Sequence, residues 1–125
     1  MNNRVATGHA DATRLDIHEL VRILNENVGT TVVQAMTGTK DRGQPARWAR
    51  PDGPEPRKAT VNQLRLGYRV WHLLAQAEGQ DIALAWLVGS NPRLAEATPV
   101  SAVRDLKSAE VIGAALAFTD GSPAA

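Results

Sequence analysis

The 125-residue sequence contains no cysteine. Disulfides, thiolate nucleophiles and cysteine-based metal sites are therefore excluded, and a cytoplasmic location is the natural expectation. No uninterrupted apolar run approaches the roughly 18 residues of a membrane span, so no membrane partner is expected. The opening Met1-Asn2-Asn3-Arg4 lacks the apolar stretch of a signal peptide. Aromatics are scarce at 4%, which gives each of the three Trp residues unusual weight in packing. There is no Gly-rich phosphate loop after a strand, no persuasive alternating strand and no internal repeat. His9, His18 and His72 have no paired metal-ligand spacing. His18 and His72 read as surface or half-buried helix residues. No serine, histidine and acid trio declares itself, although sequence alone does not exclude one. The chain reads as a non-enzyme with no catalytic residues, no metal and no cofactor.

Hydrophobic residues are plentiful at 43%, enough for a real core. The net charge of +1 conceals an asymmetry. Residues 40–69 carry eight basic groups against three acids, a local +5. Residues 79–125 carry three basic groups against five acids, a local −2. A basic middle and a mildly acidic end suggest two different partners. Nucleic acid would suit the first through phosphate neutralisation, and a solvated basic loop would show the same charge.

The periodicity is helical throughout. Residues 1–14 are polar and aperiodic and read as a flexible tail. Asp16 is a candidate N-cap, with Glu19 placed as in a capping box. Ile17, Leu20, Val21, Leu24 and Val28 follow at helical spacing, and Gly29 is the stop. Thr30 is expected to cap a short helix through Met36, with a turn at Thr37-Gly38-Thr39. A third helix spans residues 44–49, with Pro45 in its first turn and Trp48 packed inward. Pro51, Gly53, Pro54 and Pro56 read as a linker. The longest helix, about residues 60–77, has a stripe of Val61, Leu64, Tyr68, Trp71 and Ala75. Leu66, Val70, Leu73 and Leu74 widen it, so it should be buried on several sides. After Gly79 a helix over residues 81–88 is expected to turn Ile82, Ala85, Trp86 and Leu87 inward. Ser90-Asn91-Pro92 breaks it. Thr98-Pro99 starts a helix with Val103 and Leu106 inward, ending near Lys107. Ser108 is expected to cap the last helix, with Val111, Ile112, Ala115 and Leu116 inward.

This order predicts an all-α protein, a small helical bundle. An N-terminal helix-turn-helix-like unit with its Pro-rich linker (15–57) is joined by a long central helix (58–79) to a C-terminal unit and tail (80–125). In a helix-turn-helix the third helix enters the major groove. Gln44 and Arg47 are then the candidate base readers, since Gln pairs with adenine and Arg with guanine bidentately. Lys40, Arg42 and Arg50 are candidate phosphate contacts. A three-helix packing unit that never touches DNA would have the same lengths. The spacing from Ala35 to Gly38 is one residue short of the usual pattern, and residues 39–43 lengthen the turn.

Ala85-Trp86-Leu87, Asn91-Pro92-Arg93-Leu94, Thr98-Pro99 and a last helix ending at Asp120-Gly121 form the more specific pattern. Trp86, Leu87, Asn91, Pro92, Leu94, Pro99 and Gly121 resemble the toxin-binding domain of the Xre/MbcA/ParS antitoxin family over about residues 80–121. Val28-Gly29 and Ala46-Arg47-Trp48 are similar to that family's helix-turn-helix. Where the resemblance leads one to expect a small or Gly-containing turn, this sequence has Glu96-Ala97. The resemblance implies a type II antitoxin whose partner is a RES-domain toxin that degrades NAD, with the antitoxin's C-terminal region covering the active-site entrance. Arg104, Lys107, Phe118, Thr119, Asp120, Gly121 and Ser122 are the implied toxin contacts, with Leu116 a candidate apolar neighbour. It also implies a homodimer or a larger hetero-oligomer with the toxin, and repression of its own operon by binding operator DNA. The alternative is a stand-alone helix-turn-helix transcriptional regulator without a toxin. A helical adaptor that binds neither is a third reading.

Overall fold

Asp16 begins the first helix in the computed structural model, which describes residues 15–121. Its carboxylate accepts the backbone N–H groups of His18 at 3.1 Å and Glu19 at 3.3 Å, satisfying donors that the first turn leaves orphaned. Helix α1 (Ile17–Val28) buries Ile17, Leu20, Val21, Leu24 and Val28. Glu19 does not complete the capping box. Its carboxylate instead binds Arg22, which also reaches Glu26 at 2.6 Å. The Arg22 hydrogen bond holds the Glu19 carboxyl below the ordinary carboxylate range.

Helices α2 (Thr30–Thr37), α3 (Gln44–Ala49) and α4 (Lys58–Glu78) follow, then α5 (Gln80–Val88), a 3-10 turn (Pro92–Leu94), α6 (Pro99–Arg104) and α7 (Ser108–Thr119). Among the described residues the chain is all-α, with seven α-helices and no strand. No described helix is long and apolar enough to cross a membrane. The flexible-tail expectation for residues 1–14 falls outside the described residues.

Helix α4 is the post. Leu64, Leu66, Tyr68, Val70, Trp71, Leu73 and Leu74 are buried along it, and α1, α2, α5, α6 and α7 all pack on it. At Gly67 the backbone of α4 meets Met36 of α2. A Cβ there would lie 2.5 Å from the Met36 sulfur, inside van der Waals contact. Helices α2 and α6, far apart in sequence, also pack directly on each other. The Pro-rich stretch 51–57 is folded against the body, with Pro56 buried.

Several sequence expectations need correction. Thr30 and Ser108 are first helical residues and not caps. The cap positions are Gly29 and Lys107, and neither makes a side-chain cap hydrogen bond. In α5 the inward residues are Ala83 and Leu87, whereas Ala85 is exposed and Ile82 is 46% exposed. Nearly every residue of α5 is apolar, so its composition carries no phase information and packing on α4 and α6 chose the face. Leu106 lies beyond the end of α6, with φ +54° and 39% exposure. In α7 the buried residues are Val111, Ala114 and Ala115, with Ile112 and Leu116 half-buried.

Left-handed backbone explains two of the chain's sharp reversals. Gly79 joins α4 to α5 at φ +91°, ψ +165°, a region essentially reserved for glycine. A Cβ there would meet nothing within 4 Å, so only backbone conformation requires the glycine. By contrast, Ala95 and Glu96 take φ +55° and +69° without being glycine, at an energetic cost. Replacing Gly79→Ala should therefore lower unfolding stability by about 1–3 kcal/mol. Replacing Glu96→Gly should raise it by about 0.5–1 kcal/mol, the relief of strain less the extra entropy of a glycine in the unfolded chain. Urea denaturation followed by circular dichroism measures both, and equal or reversed effects would contradict the backbone argument.

Candidate functional site

Helix α3 is held on α1 by Trp48 and Pro45, both buried, and by two polar ties. The His18 ring Nδ1–H donates to the Trp48 carbonyl at 2.8 Å, and the Asn25 amide donates to the Pro45 carbonyl at 3.0 Å. A six-residue connection joins α2 to α3, and α3 has only six residues. Of the candidate DNA contacts, Lys40, Arg42 and Arg50 are exposed, and Gln44 and Arg47 are half-buried.

The two candidate base readers are occupied with each other. Arg47 Nε donates to the Gln44 side-chain oxygen at 3.2 Å, and Arg47 Nη2 pairs with Asp41. Asp41 also accepts the Gly43 N–H at 2.8 Å, which closes the turn before α3. A guanine contact would require Arg47 to leave this carboxylate, and Asp41 would then face the phosphates with unfavourable charge. Sequence reasoning counted Asp41 in the local charge and missed its pairing, because the spacing from Asp41 to Arg47 crosses a turn and matches no helical pair.

The C-terminal pattern resolves into two parts. The first is a knot built by Asn91, which is 9% exposed. Its side-chain oxygen accepts the Arg93 N–H at 2.9 Å, its carbonyl accepts those of Leu94 and Glu96 at 2.9 Å, and its own N–H donates to Ala97 at 3.1 Å. Thr98 then caps α6 by accepting the Ser101 N–H at 3.1 Å, while the Ser101 hydroxyl donates back to the Thr98 carbonyl at 2.7 Å. Asn91, Thr98 and Pro99 are thus architectural.

The second part is a cleft of about 220 Å³ lined chiefly by Trp86, Asn91, Pro92, Arg93, Ala114 and Phe118. The Trp86 and Phe118 rings stand 6.2 Å apart, tilted by 46°. Trp86 is half-buried and Phe118 is 39% exposed, and α5 further exposes Ile82 and Val88. The helices α5 and α7 that carry this surface also carry Asp81 and Glu110 in their first turns, and Asp120 caps the end of α7. All three acids are exposed.

The residues implied as toxin contacts fall into two groups. Phe118, Thr119, Asp120 and Gly121 lie at the cleft end of α7, with the Thr119 hydroxyl donating to the Leu116 carbonyl at 3.0 Å. Arg104 and Lys107 lie at the other end, separated by the length of α7, about 18 Å at 1.5 Å per residue. Arg104 rests instead against Gly38, in a groove it shares with Arg42. Ser122 lies outside the described residues. Trp86, Pro92 and Arg93 were not among the implied contacts and belong to the cleft. Trp86 and Pro92 stand in the very pattern that drew attention to this half.

The three tryptophans separate cleanly by exposure, with Trp48 at 5%, Trp71 at 7% and only Trp86 half-buried. Acrylamide should therefore quench chiefly one fluorophore, and Trp86→Phe should remove most of the quenchable emission. Quenching that persists undiminished in that variant would place the accessible tryptophan outside the cleft and contradict this assignment. Compared with known proteins, the chain matches no family model, no curated protein and no solved structure.

Proposed function

We propose that this chain is an antitoxin that neutralises a RES-domain, NAD-degrading toxin, with the Trp86–Phe118 cleft as the centre of the contact. The single observation that carries the reading is that cleft: a half-buried Trp86 and an exposed Phe118 in ring contact between two helices apolar around much of their circumference. Apolar helices of this kind ordinarily pack on something. Exposed aromatic anchors beside a small pocket suit a protein partner better than a small substrate. Asp120, exposed at the cleft end of α7, adds charge complementarity, because an enzyme pocket for an anionic dinucleotide must be cationic. The residues resembling the antitoxin family, Trp86, Leu87, Asn91 and Pro92, build this same corner. In this reading the NAD chemistry belongs to the partner.

Operator binding is a secondary part of the proposal. Lys40, Arg42 and Arg50 are free to meet phosphates, which favours salt-sensitive association. The Arg47–Asp41 pair opposes sequence readout by α3. A stand-alone regulator would need that readout, so the toxin reading is preferred.

The test is co-expression with the product of the neighbouring reading frame. A stable complex, with NAD preserved and growth restored, is the expected result. In the isolated complex Phe118→Asp should weaken binding by about 2 kcal/mol, or roughly 30-fold, as for an interfacial aromatic anchor. Deleting residues 119–125 should abolish inhibition while leaving the helical fold intact. No complex, together with salt-sensitive and sequence-specific DNA binding, would overturn the proposal in favour of a regulator.

A further inference from the structure

A second concavity lies away from the cleft, where the N-terminal and C-terminal parts of the chain meet. It is an open groove of about 600 Å³ between α2 and the end of α6. Arg42, from the turn before α3, and Arg104, from the end of α6, both line it. Thr30, Thr31, Gln34 and Thr39 supply three hydroxyls and an amide along its walls. No carboxylate lines it. Two cations lining one hydroxyl-rich concavity with no acid among its walls are chemically complementary to a phosphate ester, which accepts bidentate guanidinium and hydroxyl hydrogen bonds.

The groove is also held in shape. The Gln63 side-chain amide of α4 donates to the Arg104 carbonyl at 2.7 Å, fixing the base of that side chain. The Gln34 amide donates to the Thr39 carbonyl at 3.0 Å, which ties one wall to the turn. Gly38 forms part of the floor. A Cβ there would come 3.3 Å from Arg104 Cδ, so the absent side chain lets the arginine stem lie across the turn. Arg104 Nε is partnered by Asp105 at 3.2 Å. Its two Nη groups have no partner among the described residues, and Arg42 makes no ion pair there.

We propose that the α2–α6 groove binds a phosphate ester between Arg42 and Arg104. Its volume falls within the roughly 300–1,000 Å³ range of small-ligand sites, which suits a nucleotide. The same chemistry could be offered by a nucleic-acid backbone. This inference does not rest on the toxin reading, because the groove and the aromatic cleft share no lining residue.

The test is amide chemical-shift mapping on the full chain, titrated separately with ADP and with a 20-base-pair duplex. Perturbation of Thr30, Thr31, Gln34 and Thr39 is expected, and Arg42→Gln or Arg104→Gln should each weaken it at least tenfold. Gly38→Ala, which leaves both charges in place but disturbs the Arg104 stem, should weaken it less. Circular dichroism of each variant establishes that the fold is kept. Shifts with ADP support a free nucleotide, and shifts with the duplex alone support a nucleic-acid backbone. No shifts in this groove with either probe, or shifts unchanged in both folded arginine variants, would overturn the proposal.

Discussion

Burial of one helix from several directions sets the constraint under which every other element is placed. Residues 64, 66–68, 70, 71, 73 and 74 of α4 are buried, and no single neighbouring helix can cover a surface so wide. Helices α1 and α2 from the N-terminal side of the sequence and α5, α6 and α7 from the C-terminal side all pack on it. Contact between the two sides then follows from geometry, and α2 meets α6 directly. Gly67 sets how closely α2 can approach, because Met36 occupies the space of a side chain there. Such a core resists changes of volume at either partner.

This arrangement leaves α5 and α7 at one edge with more apolar surface than α4 and α6 can cover. Ala83 and Leu87 of α5 reach the core, and Ile82, Val88 and the Trp86–Phe118 pair are left outward. The same geometry puts Arg42 and Arg104 in the walls of one groove. The protein therefore offers two chemically different surfaces, one an aromatic cleft and one a polar, cationic groove. The basic middle visible in the composition foreshadows the second, although Arg104 belongs with that surface despite its place in the acidic half.

Much of the helical order was legible in the sequence because its signals are local. Asp16, Gly29, Gly79 and Thr98-Pro99 act through their own backbone neighbours, and the stripe of α1 repeats cleanly. What sequence could not supply depends on packing or on distant pairs. The inward face of α5 was misjudged because its residues are almost uniformly apolar. The strained turn at Ala95 and Glu96 was invisible because neither is glycine, although the missing glycine near Glu96-Ala97 marked the place. At the candidate site, Trp86, Asn91, Pro92 and Phe118 were each singled out, but their convergence was not legible. Asp41 folding back on Arg47, and Arg104 crossing to Gly38, join residues that no helical spacing connects.

The central claim is that the α5–α7 corner is a protein-binding surface. Hydrogen–deuterium exchange of the chain, alone and with the purified product of the neighbouring reading frame, tests it most directly. Protection is expected at the end of α5, through residues 91–94 and over the last turns of α7, with α3 unchanged. Protection confined to α2 and α3, or none at concentrations that saturate a micromolar complex, would contradict it.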